Sequence, residues 1–205
     1  MRNVILTAVI TIFISINSVY SQIYTNEPYE KAWSEYLQGN YGYAKTLLNK
    51  IIENEPQNPK AYHARGNVKR GLKDYYGAIL DYSKAIELNP TCDYCYRDRG
   101  LAKEILKDYI GANLDYSKAI EIDPNKSINY ETRGRLKLAQ GDTNGGLLDY
   151  NKAISLDPKN GSAYYYRGLF KCTEGDKESG CLDLSKAGEL DYGDRAYEMI
   201  RKYCN

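Results

Sequence analysis

Four classes of residue recur every 34 positions in this chain of 205 residues. They are the prolines Pro90, Pro124 and Pro158, the glycines Gly66, Gly100, Gly134 and Gly168, the tyrosines Tyr62, Tyr96, Tyr130 and Tyr164, and the alanines Ala85, Ala119, Ala153 and Ala187. A fixed period of this length indicates a stack of small structural repeats. Such a stack usually acts by presenting a surface to other molecules, and not by enclosing a reaction.

Each period has the spacing of two helices joined by a turn. Around a turn at 71–74, Tyr62, Gly66 and Lys69 lie on one side, and Ala78, Tyr82 and Ala85 lie on the other. Intervals of three and four residues predict two helices, each with one packed face. Pro90 ends the second helix because proline cannot continue it. One such pair cannot bury its apolar face alone, so we expect neighbouring pairs to complete the core.

The unit resembles the tetratricopeptide repeat (TPR). The residues that carry the resemblance are Tyr62, Gly66, Asp74, Tyr75, Ala78, Tyr82, Ala85 and Pro90, and in the next unit Tyr96, Gly100, Asp108, Tyr109, Ala112, Tyr116, Ala119 and Pro124. The resemblance implies an all-α fold, a right-handed superhelical solenoid of about five helix-turn-helix repeats with a C-terminal capping helix. In this register the repeats are a divergent 25–58, then 59–92, 93–126, 127–160 and 161–192, and the capping helix is 193–205.

The N-terminal residues 1–21 have the pattern of a secretory signal peptide. A positive start is followed by the apolar run Val4–Ile16 and then by small residues, with Val19 and Ser21 suitably placed for cleavage before Gln22. The run is short for a bilayer span. We therefore expect export, to a periplasm or to the exterior. The alternative is an uncleaved segment that anchors the protein in a membrane.

The charge balance argues against two classes of partner. The chain has 28 Lys and Arg against 27 Asp and Glu, a net charge of +1. Binding of nucleic acid depends on neutralised phosphates, and attachment to anionic lipid depends on a basic surface. His63 is the single histidine, and the chain has no Gly-rich phosphate loop or zinc-protease motif. We therefore expect no nucleic acid, no catalytic residues, no metal and no cofactor.

Charged residues also follow the period. Arg65, Arg99, Arg133 and Arg167 recur on the first helix of each repeat, as do Lys69, Lys103, Lys137 and Lys171, and Asp81, Asp115, Asp149 and Asp183 recur on the second. One interpretation is a ladder of cations that binds a ligand. We favour the other, a structural Arg–Asp pair in every repeat, because a stack needs the same contact at each level and a ligand rarely does.

The resemblance implies that the first helices line a concave groove that holds a protein or peptide partner. The inward positions differ between repeats, and we expect them to determine binding. They include Tyr29, Trp33, Tyr36, His63, Asn67, Arg70, Tyr94, Arg97, Leu101, Glu104, Glu131, Arg135, Tyr165 and Leu169. Aromatic and Arg side chains suit a protein–protein contact. An ordinary solvated face is the alternative.

Five cysteines follow the predicted signal. Cys92 and Cys95 form a Cys-x-x-Cys motif at a predicted helix start, where the motif can lower a thiol pKa. A local disulfide is the favoured interpretation, and a redox centre or half of a metal site are alternatives. Cys181 and Cys204 have the positions of a bridge between the last repeat and the capping helix, with Cys172 as an alternative partner.

Together these features predict an exported scaffold or adaptor that binds a protein or peptide and performs no catalysis. Two other functions stay open. One is a thiol-redox or metal-handling protein that uses Cys92 and Cys95. The other is a structural subunit of a cell-envelope assembly.

Overall fold

The computed structural model describes residues 28–190 and 192–204, so the predicted signal peptide lies outside the described part. Helices and short connections make up all of these residues, and no strand occurs among them. The helices are α1 (28–37), α2 (Tyr41–Asn54), α3 (Pro59–Gly71), α4 (Tyr75–Leu88), α5 (Asp93–Ile105), α6 (Tyr109–Ile122), α7 (Ser127–Ala139), α8 (Thr143–Leu156), α9 (Gly161–Thr173), α10 (Lys177–Glu189) and α11 (Gly193–Tyr203). The all-α repeat fold predicted from the sequence is confirmed.

The helices form two compact units, one that ends at Pro90 and one that begins at Thr91. The first unit contains α1 to α4, in which α3 packs against both α2 and α4. The second contains the pairs α5–α6, α7–α8 and α9–α10, and contacts of α6 with α7 and of α8 with α9 stack one pair on the next. The helix α11 packs on α10, which is the place expected for a capping helix.

The turn inside each repeat is fixed by an aspartate that begins the second helix. Asp74, Asp108, Asp142 and Asp176 are the N-caps of α4, α6, α8 and α10, and each side chain accepts a hydrogen bond from a backbone N–H three residues later. Such a cap satisfies one of the N–H groups that a helix start leaves without a partner. The aspartates explain why the second helices begin at the same register in four repeats.

Small residues and one large residue form the core of each pair. Ala78, Ala85, Ala112, Ala119 and Ala153 are fully buried at the helix crossings. Next to them lie the largest fully buried side chains, the tyrosines Tyr82, Tyr116 and Tyr150, with Leu184 at the same register in the last repeat. Alanine lets the helices approach closely, and the ring fills the space beyond the crossing.

The periodic Arg and Asp residues form a structural pair in every complete repeat. Arg99 donates two hydrogen bonds to Asp115, at 2.9 and 2.6 Å, and Lys103 lies 2.8 Å from the same carboxylate. The equivalent triads are Arg65, Asp81 and Lys69, then Arg133, Asp149 and Lys137, then Arg167, Asp183 and Lys171. Each carboxylate is nearly buried, and the structural interpretation of these charges is confirmed.

Three of these arginines also link one repeat to the preceding one. Arg65 donates to Asn49 at 2.9 Å, Arg133 donates to Ser117 at 3.2 Å, and Arg167 donates to Asn151 at 2.6 Å. The hydrogen bonds to Asp149 raise the pKa of the Arg133 guanidinium above its ordinary value, against the opposing effect of burial. A bidentate pair of this kind fixes geometry as well as adding energy. These repeated Arg–Asp pairs and their links to the preceding repeat therefore set the register of the stacked repeats.

Candidate functional site

The predicted groove residues of the first unit form an aromatic patch on α1, and on α3 they are polar. On α1, Trp33 is exposed and stacks on Tyr36 with ring centroids 5.1 Å apart, while Tyr29 packs against the core. On α3, Asn67 is buried and accepts a hydrogen bond of 2.8 Å from the Tyr82 hydroxyl. Trp33 is thus available to a partner, whereas Asn67 is engaged in the core.

His63 and Arg70 are the two remaining predicted groove residues of α3, and they lie near Asn67. His63 approaches Asn67 at 3.5 Å, and its ring lies 5.6 Å from that of Tyr82. Arg70 follows one turn later and is partly exposed. His63 thus lies against the α3–α4 contact, and its place in a partner-binding groove stays a prediction.

In the second unit, several predicted groove residues are paired with other residues of the protein. Arg97 binds Asp98 at 3.1 Å, and Tyr94 lies under the Lys126 ammonium, 5.8 Å from its ring centroid. Leu101 packs against the buried cluster that contains Tyr116. These positions contribute to the surface of α5 but are constrained by their own neighbours.

Glu104 and Arg135, two of the predicted groove residues in the second unit, form an ion pair with each other. The two residues belong to adjacent first helices, α5 and α7, and the guanidinium donates to both carboxylate oxygens at 2.6 and 3.0 Å. The buried Tyr116 hydroxyl donates to the same carboxylate at 2.7 Å. Burial, followed by this hydrogen bond, raises the pKa of Tyr116 well above its ordinary value. Sequence analysis placed both charged residues on the inward face but did not pair them.

Glu131 is likewise satisfied from the next repeat. Its carboxylate accepts hydrogen bonds from Ser162 at 2.6 Å and from Asn160 at 2.9 Å, and it is almost completely buried. Asn160 is also the N-cap of α9, since its side chain accepts from the backbone of Ala163. Glu131 therefore fixes the start of α9 against α7.

An open apolar pocket of about 300 Å³ lies beside Arg135. Side chains of α7, α8 and α9 line it: Arg135, Leu138, Ala139, Tyr150, Tyr166, Leu169, Phe170 and Thr173. Tyr150 and Tyr166 stack with centroids 6.5 Å apart, and Tyr165 meets Tyr166 edge-on at 5.2 Å. The pocket thus combines an apolar floor, stacked aromatic rings and one cation, which are the components of a site for an apolar anchor side chain.

Sequence analysis found part of this pocket. It identified Arg135 and Leu169 as inward positions from the register of the first helices, and it gave the same role to Tyr165, which is not among the lining residues. It missed Tyr166 and Phe170, each of which directly follows an inward position. The sequence did contain a signal, which was the run of aromatic residues in α9. Consecutive side chains cannot lie on the same face of a helix, so some of these rings had to point away from the predicted inward positions.

The cysteines form two close pairs and leave one residue over. Cys92 and Cys95 lie at the start of α5 with Cα atoms 5.3 Å apart, and Cys181 and Cys204 join α10 to the end of α11 with Cα atoms 5.9 Å apart. Both separations are within the range that a disulfide requires. Cys172 is the fifth cysteine and is buried on α9.

A second surface was not anticipated. In the second unit, exposed leucines recur every 34 residues on the second helices and are 65 to 69% exposed; this leucine row consists of Leu114, Leu148 and Leu182. Leu80 has the same register in the first unit and is 71% exposed. Exposed Lys–Glu ion pairs follow three of these leucines on the same helix, and they are Lys84–Glu87, Lys118–Glu121 and Lys186–Glu189. The period and the charged neighbours were visible in the sequence, but sequence analysis did not consider these leucines.

None of the described helices combines the length and the apolarity that a membrane span would need.

Comparisons with known proteins agree with this fold. Residues 59–92 match the family model for the tetratricopeptide repeat. No curated protein matches the chain in sequence. Several solved structures resemble it at low sequence identity. One is pilF of Pseudomonas aeruginosa, at 17% identity and a TM-score of 0.74, with 80% of this chain and 75% of that chain covered.

Two further neighbours cover more of their own length. MamA from Desulfovibrio magneticus RS-1 has 18% identity and a TM-score of 0.69, with 83% of this chain and 96% of that one covered. YrrB, described as a TPR protein with an unusual peptide-binding site, has 18% identity and a TM-score of 0.63, with 85% and 90% covered. At these identities the likeness establishes a shared TPR fold and nothing further about activity.

Proposed function

We propose that this chain is an exported, non-catalytic scaffold that binds an extended peptide or protein segment along the first helices of its second unit. The observation that carries the proposal is the open apolar pocket beside Arg135, because anchor side chains of a partner usually bind in pockets with apolar and aromatic walls. The TPR fold is in keeping with a protein partner. The peptide-binding site described for YrrB offers a precedent on the same fold.

The chemistry of the pocket defines the ligand that fits it. Leu138, Leu169 and Phe170 favour a large apolar side chain, and the volume of about 300 Å³ accommodates one such group. Arg135 keeps about a third of its side chain exposed while it is bound to Glu104. It is thus able to donate a hydrogen bond to a backbone carbonyl of the ligand without losing its own partner. We expect an extended segment with a single Leu, Phe or Met anchor.

A displayed library of random peptides, selected on the purified chain, provides the first test. Selected peptides should share a large apolar residue, and their affinity can then be measured by fluorescence polarisation. Leu169→Gln should weaken binding by about tenfold or more because it places an amide in the apolar pocket. The matched control is Leu182→Gln on the outer side of α10, which should leave the affinity unchanged. Equal losses in the two variants, or no loss at Leu169, would remove the pocket from the proposal.

A second candidate function, a structural subunit of a cell-envelope assembly, is favoured by the leucine row. The occupant that fits this row is a second copy of the chain. Leu114 and Leu182 are each followed on the same helix by a Lys and then a Glu, so a two-fold related copy places Lys opposite Glu and leucine opposite leucine.

Sedimentation of the purified chain distinguishes this candidate. A dimer that dissociates in the variant Leu114→Asp with Leu148→Asp, but persists in Leu169→Gln, supports the assembly role. A wild-type chain that sediments as a monomer at high micromolar concentration eliminates it.

We also propose export with removal of residues 1–21, and oxidation of both close cysteine pairs outside the cytoplasm. The mass of the protein recovered from its natural host tests both statements together, since cleavage and each disulfide change it by defined amounts. A Cys92–Cys95 pair that reopens under mild reductant would favour the thiol-redox function over the scaffold.

A further inference from the structure

Three cysteine sulfurs meet where α9, α10 and the end of α11 come together. The Sγ atoms of Cys172, Cys181 and Cys204 all lie within 4.8 Å of one another, and that of Cys172 is 4.0 Å from that of Cys181. Cys181 and Cys204 are the paired residues, and Cys172 is buried beside them. A thiol at van der Waals distance from a disulfide is the arrangement from which thiol–disulfide exchange begins.

The register of the repeats explains why Cys172 points at this pair. Its place on α9 corresponds to Leu138 on α7, and both side chains lie against a glycine of the following helix. A Cβ atom added to Gly180 would come within 2.5 Å of the Cys172 sulfur, and one added to Gly146 would come equally close to Leu138. The glycine at 180 therefore creates the space that the sulfur occupies, directly before Cys181 in the chain.

The Cys181–Cys204 pair determines how α11 is held. Ala196 is the one described residue of α11 that is buried, and pairing fixes the chain end after that helix to the first turns of α10. An open pocket lined by Lys177, Tyr203 and the two paired cysteines reaches this bridge from the surface. The bridge is thus reachable from solvent on one side and faces the buried thiol on the other.

We propose that Cys172, Cys181 and Cys204 form a thiol–disulfide exchange site that releases the capping helix α11 from its covalent tether. The thiolate of Cys172 attacks the sulfur of Cys181, a Cys172–Cys181 disulfide forms, and the Cys181–Cys204 bond breaks. Cys204 leaves as a thiolate and takes up the proton that Cys172 lost. The reaction neither consumes nor produces electrons, so it needs no external oxidant or reductant. Its product carries a free thiol at the end of a helix that is no longer tethered.

Two features keep the exchange slow in the resting protein. The three sulfurs form a triangle, so an in-line attack requires the Cys204 sulfur to swing outward. Burial raises the pKa of the Cys172 thiol, and the charged groups that act on it lie on α10 and at its N-cap. Among these, Asp176 and Asp183 raise the pKa further, and Lys177 lowers it. Exchange should accordingly become faster as the pH rises.

Peptide mapping can follow the exchange directly because trypsin separates the three cysteines. Cleavage after Lys171, Lys177, Lys186 and Lys202 places Cys172 in 172–177, Cys181 in 178–186 and Cys204 in 203–205. The oxidised full chain is incubated at alkaline pH without added thiol, free thiols are blocked in acid, and the digest is analysed by mass spectrometry. We expect a linked pair of the peptides 172–177 and 178–186 to accumulate, while the blocked form of Cys204 increases at least tenfold.

Two variants make the test specific. Cys172→Ser removes the attacking thiol and should abolish the increase at Cys204. Cys172→Ser combined with Leu138→Cys moves the thiol to the same register one repeat earlier, and it should also show no increase. Amide exchange of α11 should become faster in the wild type only, in step with the blocking of Cys204. The proposal is wrong if Cys204 stays unblocked in the wild type, or if either variant blocks it as readily.

Discussion

The pairs α5–α6 and α9–α10 have the same register and the same fold, but their helix crossings are built differently. In α5–α6, Gly100 faces the ring of the buried Tyr116, and Ala112 occupies the position on α6 that Gly180 has on α10. In α9–α10, Gly168 faces the backbone of Gly180, and Leu184 replaces the tyrosine. One crossing is filled by a side chain and the other by close backbone contact. The comparison shows that two repeats with the same spacing in sequence can pack their helices in different ways.

The largest effect should come from Gly168→Ala. The added methyl group would lie 2.8 Å from the Gly180 carbonyl oxygen and 2.9 Å from the Leu184 nitrogen, and a backbone cannot move aside as a side chain does. We expect the free energy of unfolding to fall by about 3 kcal/mol, even though alanine favours a helix more than glycine does. Urea denaturation followed by circular dichroism measures this change.

Gly134→Ala is the matched control for that prediction. It also lies in a pair with two facing glycines, but its methyl group would be 3.1 Å from the nearest atoms, a distance that small shifts relieve. We expect a change within about 1 kcal/mol. If Gly168→Ala unfolds at the same urea concentration as Gly134→Ala, close backbone contact is not what distinguishes α9–α10.

An intermediate effect is expected for Gly100→Ala. Its methyl group would lie 2.6 Å from the Tyr116 ring, which has no free space because the residue is fully buried. The free energy of unfolding should fall by about 2 kcal/mol. Tyr116→Leu installs the side chain that the last repeat uses and makes room for the methyl group. The two changes together should therefore cost about 1 kcal/mol less than the sum of the single variants, and strict additivity would count against this packing.

Alkaline pH should affect the tyrosine-filled crossing in particular. Burial raises the pKa of Tyr116, so the folded protein keeps its phenol neutral at a pH where the unfolded chain ionises it, above about 10. Stability should be constant below that pH and decrease above it, since the unfolded state then binds fewer protons. Tyr116→Phe should make the decrease shallower in denaturation curves taken across this range. Tyr197→Phe, at an exposed position of α11, should keep the wild-type slope.

The smallest effect concerns the turns. Lys107 has a φ of 65° between α5 and α6, whereas Gly175, with a φ of 98°, occupies the corresponding turn between α9 and α10. A left-handed conformation strains lysine but not glycine. Lys107→Gly should raise the free energy of unfolding by about 0.5 kcal/mol, and Gly175→Lys should lower it by about 1 kcal/mol. Shifts of the same sign in the two variants would contradict this explanation.

Much of the fold could be predicted because the period repeats local information. Spacing, turn residues and closing prolines are properties of neighbours in sequence, and three or four copies of each reduce the chance of error. The Arg65–Asp81 pair and its equivalents were predicted for the same reason, since both partners recur in one register. The inward positions Arg135 and Leu169 also followed from register.

The partners of the predicted inward residues could not be predicted from the sequence. Glu104 pairs with Arg135 across 31 positions, and Glu131 is held by Ser162 across the same separation. Both contacts depend on which side chains meet when repeats stack, and many alternative partners of suitable charge exist in the sequence. The pocket depends on Tyr166 and Phe170 turning toward Arg135, which no local pattern specifies.

The sequence by itself determined the repeat length, the order of helices and the residues that form the framework. These follow from intervals of three, four and 34 residues and from the fixed conformational preferences of Gly, Pro and Asp. The tertiary structure alone decided which crossings are filled by a ring and which by backbone, which charges are neutralised, and that Cys172 lies beside the Cys181–Cys204 pair. Those outcomes depend on distances between helices of a few tenths of an ångström, and such distances result from the packing of all side chains at once.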